Sequence, residues 1–161
     1  MKQASKEAKM PTYVCSLSEG FVNDSQKAAI AEAVTRIHSE ETGAPSYFVQ
    51  VVIEEKKSAD RFLGGSRAAG QIWIRGDIRA GRTQAQRNAM MLRIMKEVAR
   101  ITNAKEEEIW VYLCNLEPTD MLEYGHVLPQ PGEEADWFNR LPKPLQDYLA
   151  QLGTTKDTFT L

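Results

Sequence analysis

The chain has 161 residues, which is enough for one domain with a sizeable core. Hydrophobic residues make up 42% and charged residues 26%, values that are ordinary for a globular protein, and the formal net charge is −2. This charge gives no indication of a nucleic acid or an acidic membrane surface as partner, and no run approaches the roughly 18 apolar residues of a membrane span.

The first ten residues, MKQASKEAKM, carry lysines, but no apolar segment follows them. They therefore do not form a secretory signal. We predict a disordered extension or a non-native start over residues 1–10, and a cytoplasmic protein. The two cysteines, Cys15 and Cys114, lie in apolar strand-like runs without the spacing of metal ligands, and we expect them to be buried free thiols.

The first half of the chain has a strand–helix–strand pattern. Residues 13–17 (YVCSL) are β-branched and aromatic, which predicts a strand. Residues 23–25 offer N-cap candidates, and Gly43 and Pro45 end the helix that follows. The predicted buried stripe of that helix is Ile30, Ala33, Val34 and Ile37. Residues 47–53 (YFVQVVI) predict the second strand.

The second half repeats this pattern. The glycine-rich residues 64–70 precede a strand and lack a GK[ST] sequence, so we interpret them as a flexible connector and not as a phosphate loop. Residues 71–78 predict a strand, Thr83 and Gln86 a capping box, and Asn103 a left-handed helix end. The predicted helix stripe is Met91, Ile94, Met95, Val98 and Ile101. Ile109–Leu116 predicts the last strand.

The two halves predict an α+β fold. A strand–helix–strand order favours a parallel pair with a right-handed crossover. We therefore expect two consecutive β-α-β units, over residues 11–118, that form a four-stranded mixed sheet with both helices on one face. The strands are too apolar for the other face to meet water, so we predict that this face is buried in an oligomer.

Residues 119–161 differ in character from the core. Prolines punctuate a loop, and a helix-like stretch runs from about residue 133 to residue 152, interrupted by Pro142 and Pro144. We predict a C-terminal loop and helical arm that packs on the core or on a neighbouring subunit, with a frayed end over residues 154–161.

Arg79 and Arg82 lie where the second-half strand ends and its helix begins. Two guanidinium groups at a helix N-terminus can clamp a small carboxylate, but the same position also suits a pair of solvated surface arginines. Taken singly, His38 suits a partly buried helix side chain, Tyr112 a core aromatic and Glu123 a solvated loop residue.

Pro11 stands between Met10 and the first strand. If translation starts at Met10, removal of that methionine leaves a secondary amine at Pro11. α-Amino groups titrate near pH 8 before any perturbation, so such an amine can serve as an acid or a base near neutral pH.

Together these residues resemble the tautomerase superfamily, and within it the cis-3-chloroacrylic acid dehalogenase family. The resemblance rests on the Met10-Pro11 start, the doubled strand–helix–strand plan and the glutamate loop, and it spans about residues 11–152. Six positions match in order, and stretches 123–125 and 131–139 are also similar. The six are Pro11, His38, Arg79, Arg82, Tyr112 and Glu123.

The resemblance implies a cofactor-free hydratase or hydrolytic dehalogenase of small three-carbon α,β-unsaturated carboxylates, assembled as a homotrimer. Arg79, Arg82 and His38 would hold the substrate carboxylate. Glu123, helped by Tyr112, would activate a water that adds at C3, and cationic Pro11 would give a proton to C2. A cis-3-haloacrylate would become malonate semialdehyde. Neither a metal, a nucleic acid nor a membrane is implied as a partner.

The ten residues before Pro11 depart from the family pattern, because they make its nitrogen an amide. We favour a mature start at Pro11. Two alternatives stay open: a keto–enol tautomerase of pyruvate-like enols with Pro11 as a neutral base, and an inactive carboxylate-binding homologue in which Pro11 is blocked.

Overall fold

The computed structural model describes residues 11–130 and 132–152. The predicted extension over residues 1–10 and the predicted frayed end lie outside the described residues. The strands are β1 (Pro11–Ser18), β2 (Gln50–Lys56), β3 (Phe62–Leu63), β4 (Ser66–Arg67), β5 (Ile72–Arg79), β6 (Ile109–Leu116), β7 (Leu122–Glu123) and β8 (His126–Val127). The α-helices are α1 (Asp24–Thr42), α2 (Gln84–Thr102), α3 (Glu134–Arg140) and α4 (Lys143–Leu152).

The four long strands form one mixed sheet in the order β2-β1-β5-β6. Each β-α-β unit contributes a parallel pair, β1 with β2 and β5 with β6, and the two units meet through the antiparallel pair of β1 and β5. The predicted sheet and fold class are confirmed. The antiparallel junction brings the first residue of β1 to the last residues of β5.

Local capping signals fix the ends of both long helices. Asn23 and Thr83 are the N-caps, and each forms a reciprocal capping box with a glutamine three residues later. Gly43 and Asn103 end the helices with φ values of 76° and 58°. The capping box at Thr83 and the left-handed end at Asn103 confirm the sequence prediction.

The core lies between one face of the sheet and the two long helices. Its buried side chains alternate along the strands and follow the helical period along α1 and α2. The strand members are Tyr13, Cys15, Leu17, Ile72, Ile74, Ile78 and Ile109, and the helix members are Ile30, Val34, Ile37, Met90, Ile94 and Val98. Met90 is fully buried and Met91 only half-buried, so the prediction for α2 was wrong by one residue at this position.

The second predicted strand begins later than the sequence indicated. Residues 46–48 form a 3₁₀ turn, and β2 starts only at Gln50. The apolar pair Tyr47 and Phe48 leaves the sheet because it packs against the C-terminal arm. The buried arm residues in this second cluster are Leu128, Trp137, Leu141 and Leu149. The arm therefore packs against Tyr47 and Phe48 of its own chain, and its two helices are separated at Leu141 and Pro142.

Each β-α-β unit ends in a small hairpin that the sequence analysis did not anticipate. β3 pairs with β4, and β7 pairs with β8. The two-residue turns, Gly64-Gly65 and Tyr124-Gly125, have positive φ at both positions, as in a type I′ turn. The glycine-rich segment is therefore a hairpin where we expected a flexible connector, and Glu123 ends a strand where we expected a loop.

The outer face of the sheet combines polar and aromatic side chains. An Arg75–Asp77 ion pair lies on it, whereas Trp110 and Tyr112 are 44% and 48% exposed. The large exposed apolar side chains of this face therefore lie at both of its edges, with Val52 on β2 and with Trp110 and Tyr112 on β6. In the part of the chain that the structure describes, no helix has the length and apolarity to cross a membrane.

Candidate active site

The backbones of Pro11 and Arg79 lie close together at one end of the sheet because β1 and β5 run antiparallel. Pro11 is paired with Ile78, and Arg79 is the next residue along β5. Pro11 is buried and Arg79 has no exposed surface. The sheet junction therefore brings together two residues that are 68 positions apart in the sequence.

Arg82 lies in the turn between β5 and α2. Its Nη1 donates to the backbone carbonyl of Arg79 at 3.2 Å, and only 4% of the residue is exposed. Burial of both guanidinium groups excludes the interpretation as solvated surface arginines. Charged side chains are rarely buried without a specific partner or function, so the burial marks this turn as a candidate binding site.

His38 connects Arg82 to the core. Its Nε2 lies 3.3 Å from Arg82 Nη2, and its Nδ1 lies 2.8 Å from Tyr13 Oη. A guanidinium can only donate, so Nε2 accepts and the imidazole proton is assigned to Nδ1, which donates to Tyr13. The Tyr13 hydroxyl in turn donates to Met90 Sδ at 4.0 Å. Burial raises the pKa of Tyr13, which keeps its hydroxyl neutral in this chain of contacts.

Gly76 sets the position of Tyr13, and a Gly76→Ala substitution tests this. A Cβ there would lie 2.5 Å from the Tyr13 ring and 2.9 Å from Leu113. We expect Gly76→Ala to lower the free energy of unfolding by about 1–3 kcal/mol, as overpacking does, and to lower activity through the displaced tyrosine. Urea unfolding measures this, with Gly70→Ala as control, where the Cβ would meet only Glu108, at 3.4 Å. Equal stability of the two variants would contradict the packing argument.

Glu123 reaches this region from the β7–β8 hairpin. The turn holds Tyr124 at a φ of 50°, and the Tyr124 hydroxyl donates to the Tyr47 carbonyl at 2.6 Å. This contact ties the hairpin to the second cluster. Burial raises the pKa of Glu123 to about 7, although the nearby Arg79 charge acts to lower it. A carboxylate with such a pKa can act as a general base near neutral pH.

The C-terminal arm supplies two partners of Arg79 that the sequence analysis did not identify. Arg79 Nη2 forms an ion pair with Glu134 Oε1, and Arg79 Nη1 donates to the Pro129 carbonyl at 2.9 Å. Sequence similarity drew attention to residues 131–139, but nothing in the local pattern pairs Glu134 with a residue 55 positions away.

Tyr112 does not join the other five residues within one chain. It lies opposite Arg75 on β6, on the outer face of the sheet, with its ring 6.0 Å from the Trp73 ring. It lines a cavity of about 240 Å³ together with aromatic and aliphatic side chains and Arg61. The structure thus groups Pro11, His38, Arg79, Arg82 and Glu123 at one end of the sheet and leaves Tyr112 apart.

Comparison with known proteins agrees with this architecture. Residues 10–140 match the family model described as putative oxalocrotonate tautomerase enzyme. A solved structure described as N1, a member of the cis-3-chloroacrylic acid dehalogenase family, is similar with a TM-score of 0.84 and 36% identity over 87% of this chain and 99% of that one. Comparison with curated proteins gives no match.

Two further solved structures are similar over a shorter part of the chain. Native Ps01740 has a TM-score of 0.68 and 33% identity, covering 70% of this chain and 99% of that one. The R7 fused 4-OT asymmetric trimer has a TM-score of 0.67 and 25% identity, covering 72% and 94%. The fold and the family match define a tautomerase-superfamily enzyme. Within that superfamily, the chain belongs to the cis-3-chloroacrylic acid dehalogenase family.

Proposed function

We propose that the protein is a cofactor-independent hydratase or hydrolytic dehalogenase of small three-carbon α,β-unsaturated carboxylates, such as cis-3-haloacrylates. The observation that carries the proposal is the convergence of Pro11, two buried arginines and Glu123 at one end of the sheet. It supplies an anion-binding group, a general base and, where Pro11 begins the chain, an amine that can act as a general acid.

The substrate carboxylate binds to the arginine pair. Arg82 and Arg79 withdraw electron density from the conjugated double bond, which makes C3 electrophilic. His38 acts through Arg82 in this scheme, because its ring nitrogens face Arg82 and Tyr13. This differs from the direct contact with substrate that the family resemblance implies for His38.

Water addition uses Glu123 and Pro11 in opposite roles. Glu123 takes a proton from water, the oxygen bonds to C3, and the Pro11 ammonium gives a proton to C2. With chlorine on C3 the product is a chlorohydrin, which loses chloride and a proton to give malonate semialdehyde. A triple bond in place of the chloroalkene is hydrated by the same steps and needs no leaving group.

Tyr112 can take part in this reaction only if chains assemble into an oligomer. Its exposed ring lies on the outer sheet face, away from Glu123. We therefore propose that Tyr112 assists water activation in a neighbouring subunit's site, within a homotrimer. The exposed aromatic edge of the sheet supports this, as does the description of the fused 4-OT relative as a trimer.

Keto–enol tautomerisation of pyruvate-like enols is the second candidate. The match to the oxalocrotonate tautomerase family model favours it. In that reaction neutral Pro11 is the base, and Glu123 has no required role. A chain whose Pro11 nitrogen stays an amide would instead be a carboxylate-binding homologue.

The pH dependence of turnover separates the two reactions. Water addition needs ionised Glu123, so the rate with cis-3-chloroacrylate should rise as pH increases through about 7. It also needs protonated Pro11, so the rate should fall again above the pKa of the amine. A tautomerase rate with phenylenolpyruvate should instead rise through that same amine pKa. A haloacrylate profile without a rising limb near pH 7 would contradict the role of Glu123.

A further inference from the structure

We propose that Glu134 is a positioning residue of this site, which holds the Arg79 guanidinium from the C-terminal arm in the orientation that binds the substrate carboxylate. The inference rests on the proposed function. It adds a residue outside the six that the sequence indicated. It also means that the arm must be docked for Arg79 to be oriented for carboxylate binding.

The Glu134 carboxylate is fixed at both of its oxygens. Oε1 accepts from Arg79 Nη2, and Oε2 accepts from the backbone N–H of Gly132 at 2.8 Å. The residue is only 8% exposed. A carboxylate with both oxygens engaged and little access to water has one orientation, and it imposes that orientation on the planar guanidinium that it contacts.

Arg79 is held by the arm at two points. Nη2 contacts Glu134, and Nη1 donates to the Pro129 carbonyl at 2.9 Å. A guanidinium is planar and presents its N–H donors in a rigid fork, so these contacts fix the plane in which the substrate carboxylate must approach Arg79.

The arm is itself anchored, so the position of Glu134 is defined relative to the sheet. Trp137 donates from Nε1 at 2.9 Å to the carbonyl of Val127, which belongs to the hairpin that carries Glu123. Leu149 has no exposed surface, and Trp137 packs against Phe48 with ring centroids 5.9 Å apart. The packing of the second cluster therefore holds the arm, and with it the Glu134 side of the Arg79–Glu134 ion pair, in place.

The first test compares Glu134→Gln with Glu133→Gln. Glutamine keeps the shape of Glu134 and removes its charge, whereas Glu133 is exposed and makes no side-chain capping contact at the start of α3. We expect Glu134→Gln to raise KM for cis-3-chloroacrylate at least about tenfold, with a smaller loss in kcat, since a misplaced binding group costs rate steeply. Glu133→Gln should behave like the parent protein.

Two results would overturn the proposal. An unchanged KM would show that Arg79 does not depend on Glu134. A lowered KM would show that Glu134 competes with the substrate for Arg79. If Glu134→Gln does not fold, Glu134→Asp carries the test, because it keeps the charge but shifts the carboxylate by one methylene, and it should raise KM in the same direction.

A readout without turnover separates this proposal from the proposed function. Propionate has no double bond to react, and its dissociation constant can be measured by NMR titration. Glu134→Gln should weaken propionate binding at least about tenfold and speed hydrogen exchange of the amides in residues 132–152. If the parent protein binds propionate but does not turn over haloacrylates, the proposed function is rejected and the positioning role of Glu134 is not. Unchanged propionate binding and exchange in Glu134→Gln reject the role of Glu134.

Discussion

Replacement of Glu123 by glutamine is expected to lower kcat/KM for cis-3-chloroacrylate by about 10²–10⁴-fold, the usual contribution of a general base. The amide has nearly the same shape but cannot accept a proton from water. The hairpin should stay in place, because its turn is held by the contact of Tyr124 with the Tyr47 carbonyl rather than by Glu123. Steady-state kinetics at saturating and limiting substrate measure the loss.

The burial of Glu123 is the reason to expect an effect of this size. Partial burial raises its pKa to about 7, so the group is a stronger base than an exposed glutamate and is still ionised in part at neutral pH. Glu117→Gln is the matched control, since Glu117 is exposed at the end of β6. A Glu123→Gln variant within a few-fold of the parent would place the base elsewhere.

The second large effect concerns the Pro11 nitrogen. We expect a chain that begins at Pro11 to exceed the chain that keeps residues 1–10 by about 10²–10⁴-fold in kcat/KM, again the range of general acid–base catalysis. An amide nitrogen carries no proton to give, whereas a terminal secondary amine is protonated near neutral pH. Intact mass and amino-terminal sequencing of each preparation must accompany the kinetics.

A chain that begins with alanine in place of Pro11 is the control for this comparison. It keeps a terminal amine but changes the amine from secondary to primary, so its activity should fall between those of the two other chains. Full activity in a chain shown by mass to retain residues 1–10 would contradict amine catalysis. The reaction would then depend on Glu123 and the arginines alone.

The fold follows from local signals that a sequence displays directly. Helix caps such as Asn103, and the apolar periods of the strands and helices, act within a few residues. The repeat of one strand–helix–strand plan then leaves few arrangements for the sheet. Tyr47 and Phe48 escaped this reasoning because their partners lie in the arm, about 80–100 residues away. Tertiary packing there overrode a strand-like local pattern.

The site is less visible in the sequence because its contacts join distant segments. The family resemblance indicated Glu123 and the arginine pair, but the burial that raises the Glu123 pKa is a property of the folded chain. Neither the Tyr13–His38 contact nor the Arg79–Glu134 ion pair has a local signature. For Tyr112 the resemblance predicted a place in the site, whereas the structure places this residue on the outer face of the sheet.

The most direct test of the proposed chemistry is product analysis with the chain that begins at Pro11. Incubation with cis-3-chloroacrylate should release chloride and malonate semialdehyde in equal amounts. Ion chromatography measures the chloride and proton NMR measures the malonate semialdehyde. Omission of added cofactors and metals should not change the rate. Absence of both products, in a preparation whose free Pro11 amine is verified by mass and which tautomerises phenylenolpyruvate, would contradict the account and leave the tautomerase reaction in its place.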